Sequence, residues 1–141
     1  MGGQWLQTIL GDAFRVHFLK DVYYGSHIDS TLVALRPGVL LCSPARLNDD
    51  TLPEILKQWD VIYSPPMEGM GRYDADYLSR SIGSAWIGMN LLSINPNLVV
   101  VEHDQTGLIR LLEKQGLDVI PRKLRHSKML PGFDVSGQQH G

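Results

Sequence analysis

The feature that most constrains the fold of this chain is an internal repeat. Residues 31–43 read TLVALRPGVLLCS, and residues 89–103 read MNLLSINPNLVVVEH. Each is a short apolar run, a proline turn and a second apolar run, the pattern of two strands joined by a tight connection. In Pro37-Gly38 the proline presets one backbone angle and the glycine permits a positive φ. Pro96-Asn97 occupies the same place in the second unit. The units close alike, with KQWDVIYSP at 57–65 and KQGLDVIPRK at 114–123. Between hairpin and closing strand, Leu52, Ile55 and Leu56 predict a short amphipathic helix in the first unit, with Pro53 in its first turn. Thr106 to Gln115 predicts a helix in the second, ended by Gly116. The ordered set predicts an α/β fold built of ββαβ modules, at least two of them, over about 31–64 and 86–124.

The rest of the chain is less patterned. Trp5, Leu6, Ile9 and Leu10 share one helical face, stopped by Gly11. Phe14, Val16 and Phe18 alternate with Arg15 and His17 at strand spacing. Met67 to Asp76 is a loop with methionine and glycine, and 131–141 is expected to be a flexible tail. With 141 residues the chain is of single-domain size, and 43% hydrophobic residues are enough to form a core.

Composition excludes several classes. A formal net charge of −2 gives no electrostatic footprint for nucleic acid. The basic run Arg122, Lys123, Arg125, His126 and Lys128 has no aromatic partners for stacking on bases. No apolar run approaches the roughly 20 residues of a spanning helix, so no membrane association is expected and the chain is read as cytoplasmic. A single cysteine, Cys42, rules out an intrachain disulfide and a multi-cysteine zinc site. It lies in an apolar strand with no nearby base, which predicts a buried, inert thiol. His103 and Asp104 resemble a ligand pair without further ligands at zinc-like spacing, so no metal is expected.

Two places carry possible chemistry. In an extended backbone, His27 and Asp29 project to the same face, the first able to pass protons and the second to hold a cation. A structural histidine beside a turn-capping aspartate fits the same residues. Arg46 follows a strand end and can clamp a carboxylate with two parallel hydrogen bonds, or be a solvated surface arginine. Trp86 to Asn90 mixes apolar and polar groups, with Met89 the most core-like.

The blocks RVHFLKD, HIDSTL, LRPGVLLCSPAR, QWDVIYSPP, WIGMNLLSINPNLVVVE, LEKQGLDVIP and LRH, in that order, resemble the C-terminal portion of the glycine/inosamine-phosphate amidinotransferase family. The resemblance runs from about Gln4 to Leu130. It implies part of a five-bladed α/β propeller, the pentein fold of guanidine-modifying enzymes. It also implies a cofactor-free transfer of an amidino group from arginine to an amine through a covalent cysteine intermediate. Carried over by position, His27 is the catalytic acid–base, Asp29 holds the guanidinium and Arg46 receives a substrate carboxylate. Met89 and Asn90 form the pocket wall, with Gly88 where the family usually has serine. The partner implied is a small arginine-like guanidine or amino acid. Unpaired strands and apolar patches of a partial propeller lead to the expectation of a homo-oligomer or of poor solubility.

The chain departs from the pattern at both ends. The family's nucleophilic cysteine lies in a GGGFHC-type segment after the RH block, where residues 130–136 read LPGFDVS. The aspartate that steadies the histidine would precede Met1. The expectation is a catalytically incomplete chain, inactive alone, or else a pseudoenzyme or assembly module that binds a guanidine.

Overall fold

A computed structural model describes residues 2–18, 28–69 and 85–123. Its elements in chain order are α1 (Gly2–Leu10), β1 (Leu32–Arg36), β2 (Val39–Cys42), β3 (Asp60–Tyr63), β4 (Leu92–Asn95), β5 (Leu98–Glu102), α2 (Thr106–Lys114) and β6 (Asp118–Arg122). The strands form two three-stranded sheets, β1-β2-β3 and β4-β5-β6. In each, the first pair is antiparallel and the second parallel. A parallel pair needs a crossover connection, and each unit supplies one between its second and third strands.

The repeat extends to the register. Arg36 pairs with Val39 and Asn95 with Leu98, each beside an irregularity one step into the hairpin. Val39 aligns with Asp60 and Leu98 with Asp118. The Asp60 amide donates to the Gly38 carbonyl at 2.8 Å and the Asp118 amide to the Asn97 carbonyl at 2.7 Å. Gly38 takes a positive φ of 81°, as the turn chemistry requires.

The central strand β2 is buried on both faces. Leu40 and Cys42 point to one side, into a cluster with Leu47 and Leu52 that Leu32, Leu56, Trp59, Val61 and Tyr63 pack against. Leu41 points to the other, into a second cluster with Leu35, Met89, Leu91, Val99, Val101, Leu108, Leu112 and Leu117. Val33, Val39 and Ile62 of the first sheet also pack against that second cluster. Helix α2 supplies Leu108 and Leu112 to this cluster, which residues of both units form, and it lies against β6 of its own unit. At its C-terminal end the Gln115 carbonyl accepts from the Arg36 guanidinium at 3.0 Å.

Two local expectations fail. The helix at Leu52 to Leu56 is only a 3-10 turn, Glu54–Leu56, with Ile55 exposed. Pro53 is extended at φ −55°, ψ 136°, and a ring without an N–H cannot continue the preceding turn. That turn belongs to Asn48, whose Oδ1 accepts from the Asp50 and Thr51 amides at 3.0 and 2.9 Å. Nor is 14–18 a strand. The Gln7 side chain donates to the Phe14 carbonyl and accepts from the Val16 amide, at 2.8 and 2.7 Å, so one side chain stands where a neighbouring strand would. Residues 70–76 of the expected methionine- and glycine-bearing loop and the expected tail at 131–141 lie outside the described residues.

Candidate functional site

The site is built at the end of the first sheet where β2 and β3 finish and β1 begins. Each ladder runs one step beyond its strands there. The Ser43 amide donates to the Thr31 carbonyl at 2.8 Å, and the Ser64 amide to the Cys42 carbonyl at 2.9 Å. Thr31, Ser43 and Ser64 thus form a row across the sheet end, all buried. Beyond the row the chain turns twice. The Ile28 carbonyl accepts from the Thr31 and Leu32 amides, so Asp29 and Ser30 sit in a turn. The Ser43 carbonyl accepts from the Arg46 and Leu47 amides, which brings Arg46 back over the sheet end.

Arg46 is the best-held charged group there. Its Nη1 donates to Thr31 Oγ1 at 2.7 Å and to Ser30 Oγ at 3.2 Å. Burial lowers its pKa, but a guanidinium starts so high that the charge remains. A partly buried cation with fixed orientation suits a carboxylate or another flat anion. Arg46 and the turn that carries Asp29 therefore share one sheet end. The backbone at Asp29 is not extended, so the alternation argument linking it to His27 does not hold; His27 itself lies outside the described residues.

The second unit presents its equivalent end differently. Gln105 occupies the place of Arg46, its amide donating to the Glu102 carbonyl as that of Arg46 does to Ser43. Its side chain is buried and bonds to the backbone of Glu68, after β3 of the first unit, rather than to the start of its own unit. Nε2 donates to the Glu68 carbonyl at 2.8 Å, and Oε1 accepts from the Glu68 amide at 3.0 Å. The Glu68 carboxylate accepts from the Thr106 and Gly107 amides at 3.0 and 3.2 Å, capping α2. The Thr106 hydrogen bonds, the side chain's first, hold the Glu68 pKa below the usual glutamate value. Sequence reasoning missed Glu68 and Gln105, because a cap supplied from so far along the chain leaves no local signature.

Gly88 and Met89 lie in a 3-10 turn, Ile87–Met89, with Asn90 half-buried at its end. Met89 is fully buried in the cluster between the units, so it supports this region from within the core. Glycine at 88 has a steric reason. A Cβ there would lie 2.7 Å from Met67 Sδ and 2.8 Å from Gln105 Cδ.

Cys42 is buried, and desolvation pushes its thiol up to about 11. A thiol in that state is a poor nucleophile at neutral pH. His103 Nδ1 and Asp104 Oδ1 are 3.1 Å apart on the surface. No group of three or more His, Cys, Asp or Glu placed to hold a metal occurs among the described residues. No helix among them is long and apolar enough to cross a membrane.

Comparison with known proteins agrees with this architecture. Inosamine-phosphate amidinotransferase 1 of Streptomyces glaucescens is 46% identical over 132 residues, 94% of this chain and 37% of that protein. The solved inosamine-phosphate amidinotransferase of Streptomyces griseus superposes with a TM-score of 0.83 at 45% identity, covering 94% of this chain and 37% of that one. The chain belongs to the inosamine-phosphate/glycine amidinotransferase family. An L-arginine:L-lysine amidinotransferase of Pseudomonas savastanoi pv. phaseolicola is 37% identical over 121 residues, 84% of this chain and 31% of that protein. No family model matches the sequence. The chain thus spans little more than a third of the length of the inosamine-phosphate relatives it matches.

Proposed function

We propose that the chain carries the substrate-binding part of an amidinotransferase site and holds an arginine-like amino acid without transferring its amidino group. Arg46 receives the substrate carboxylate. Asp29, in the adjoining turn, holds the guanidinium, His27 provides the acid–base group, and Met89 and Asn90 back the pocket. The observation that carries the reading is the guanidinium of Arg46, fixed by Thr31 and Ser30 at a sheet end that also bears Asp29.

The transfer itself needs a thiolate to attack the guanidinium carbon. The only cysteine in the sequence is Cys42, which points into the core and holds its proton. Without a nucleophile, positioning and electrostatics alone leave a small fraction of an enzyme's rate. The 141-residue chain on its own is therefore a binding protein for a guanidino amino acid, and part of a propeller-type α/β fold.

The test combines two assays on the full chain. Calorimetry with arginine should give saturable heat that Arg46→Ala removes. Ornithine release from arginine with glycine as acceptor should stay at the blank. No heat with arginine would overturn the binding role. Ornithine released well above the blank would overturn the inactivity.

A further inference from the structure

The segment after β3 ties the first sheet's end to the second unit. It begins at Ser64, in the buried row with Ser43 and Thr31, the residue whose hydroxyl receives Arg46 Nη1. Pro65 and Pro66 follow, and each ring fixes a backbone angle. The Pro65 ring faces Gly107 at the start of α2, where a Cβ on the glycine would meet it at 3.5 Å. Glu68 then closes the segment onto α2 through its carboxylate. Residues 64–68 are thus held at one end by the first sheet and at the other by a helix of the second unit.

Gln105 strengthens the second hold. It is 1% exposed, and its side-chain amide spans the Glu68 backbone, donating to the carbonyl at 2.8 Å and accepting from the amide at 3.0 Å. Two bonds from one planar group leave that group a single orientation. The same amide lies directly under Gly88. A Cβ at Gly88 would stand 2.8 Å from Gln105 Cδ and 3.0 Å from its Oε1, with Met67 Sδ at 2.7 Å. Ile87, Gly88 and Met89 are all buried, and the Asn90 amide closes the turn on the Ile87 carbonyl at 3.0 Å. Asn90 is therefore placed by a turn that rests on Gln105 and Met67.

We propose that Gln105 is a positioning residue for arginine binding: clasped to Glu68 beneath the Ile87–Met89 turn, it fixes where Asn90 stands relative to Arg46. This rests on the reading above, in which Arg46 receives the substrate carboxylate and Asn90 backs the pocket. Arg46 is placed by the first sheet and Asn90 by the second unit. A ligand that touches both needs the two held at one spacing, and a small misplacement of either costs much of the gain from binding at two points. The segment 64–68 and the Gln105 clasp set that spacing. Gln105 acts through the Glu68 backbone and through Gly88.

Calorimetry with arginine on the full chain tests this through a double-substitution cycle. Gln105→Met keeps the side-chain volume under Gly88 and removes both bonds to Glu68. It should raise the arginine Kd about fivefold or more. Asn90→Ala should also weaken binding, and adding Gln105→Met to it should weaken binding little further, because the residue being positioned is gone. Val119→Ala thins the same core at the hairpin end of the second sheet. It should leave the Kd within about twofold, which separates positioning from a general loss of stability. Where far-UV circular dichroism shows Gln105→Met unfolded, Met67→Ala takes its place, since it removes the other side chain against Gly88 and should show the same coupling to Asn90. No heat in the unsubstituted chain overturns the binding reading and this inference together. Heat in the unsubstituted chain with a Kd that Gln105→Met leaves unmoved overturns this inference alone. So do losses that add independently with Asn90→Ala, or a Val119→Ala loss as large as that of Gln105→Met.

Discussion

Replacing Gly88 by serine should destabilise this chain. The serine Cβ would stand 2.7 Å from Met67 Sδ and 2.8 Å from Gln105 Cδ. Neither neighbour swings away freely. Met67 packs against the cluster between the units, and the buried Gln105 amide is held by two hydrogen bonds to the Glu68 backbone. Overpacking of this kind costs about 1–3 kcal/mol. Displacing Gln105 forfeits two hydrogen bonds at about 1 kcal/mol each. The sum is about 3–5 kcal/mol, and a urea slope of roughly 1–3 kcal/mol/M turns it into a midpoint lowered by on the order of 1 M or more. Equilibrium urea unfolding followed by tryptophan fluorescence reads it. Adding Met67→Ala removes one of the two contacts and should return part of the loss. A Gly88→Ser midpoint indistinguishable from the parent would refute the packing argument.

Three further outcomes follow from the same geometry. The Glu68 pKa is lowered in the folded chain, so its contribution is present above the unfolded glutamate pKa and lost as pH falls through the folded value; Glu68→Gln should flatten that acid limb in a pH series of urea midpoints. Ser43 Oγ is buried without a hydrogen-bond partner among the described residues, and Ser43→Ala should therefore be neutral or stabilising by up to about 1 kcal/mol in the same assay. Cys42 should resist a disulfide exchange reagent at pH 8 until denaturant is added, because its thiol is inaccessible and its pKa is raised to about 11; prompt reaction in the native state would show that β2 opens.

How much of this was legible depended on how local the cause was. The hairpins, their turns and the closing strands were readable because apolar runs and Pro37-Gly38 or Pro96-Asn97 act within a few residues. The buried, inert Cys42 followed from the same runs. The first crossover misled, since Leu52, Ile55 and Leu56 keep helical spacing while Pro53 and the Asn48 turn prevent the helix. Phe14, Val16 and Phe18 have strand alternation, yet the groups bonding that segment come from Gln7 rather than a neighbouring strand. At the site, Asp29 and Arg46 were named from residue type and family resemblance. What fixes Arg46, the hydroxyls of Ser30 and Thr31, depends on two turns meeting at a sheet end. The Glu68 and Gln105 clasp joins segments far apart in sequence and had no local signal at all.

Native mass spectrometry of the full chain incubated with arginine tests the central claim most directly, since one spectrum reports both binding and covalent chemistry. A non-covalent arginine complex that Arg46→Ala abolishes is expected, with an unmodified chain mass after denaturation. Absence of the complex, or an amidino adduct that survives denaturation, would contradict it.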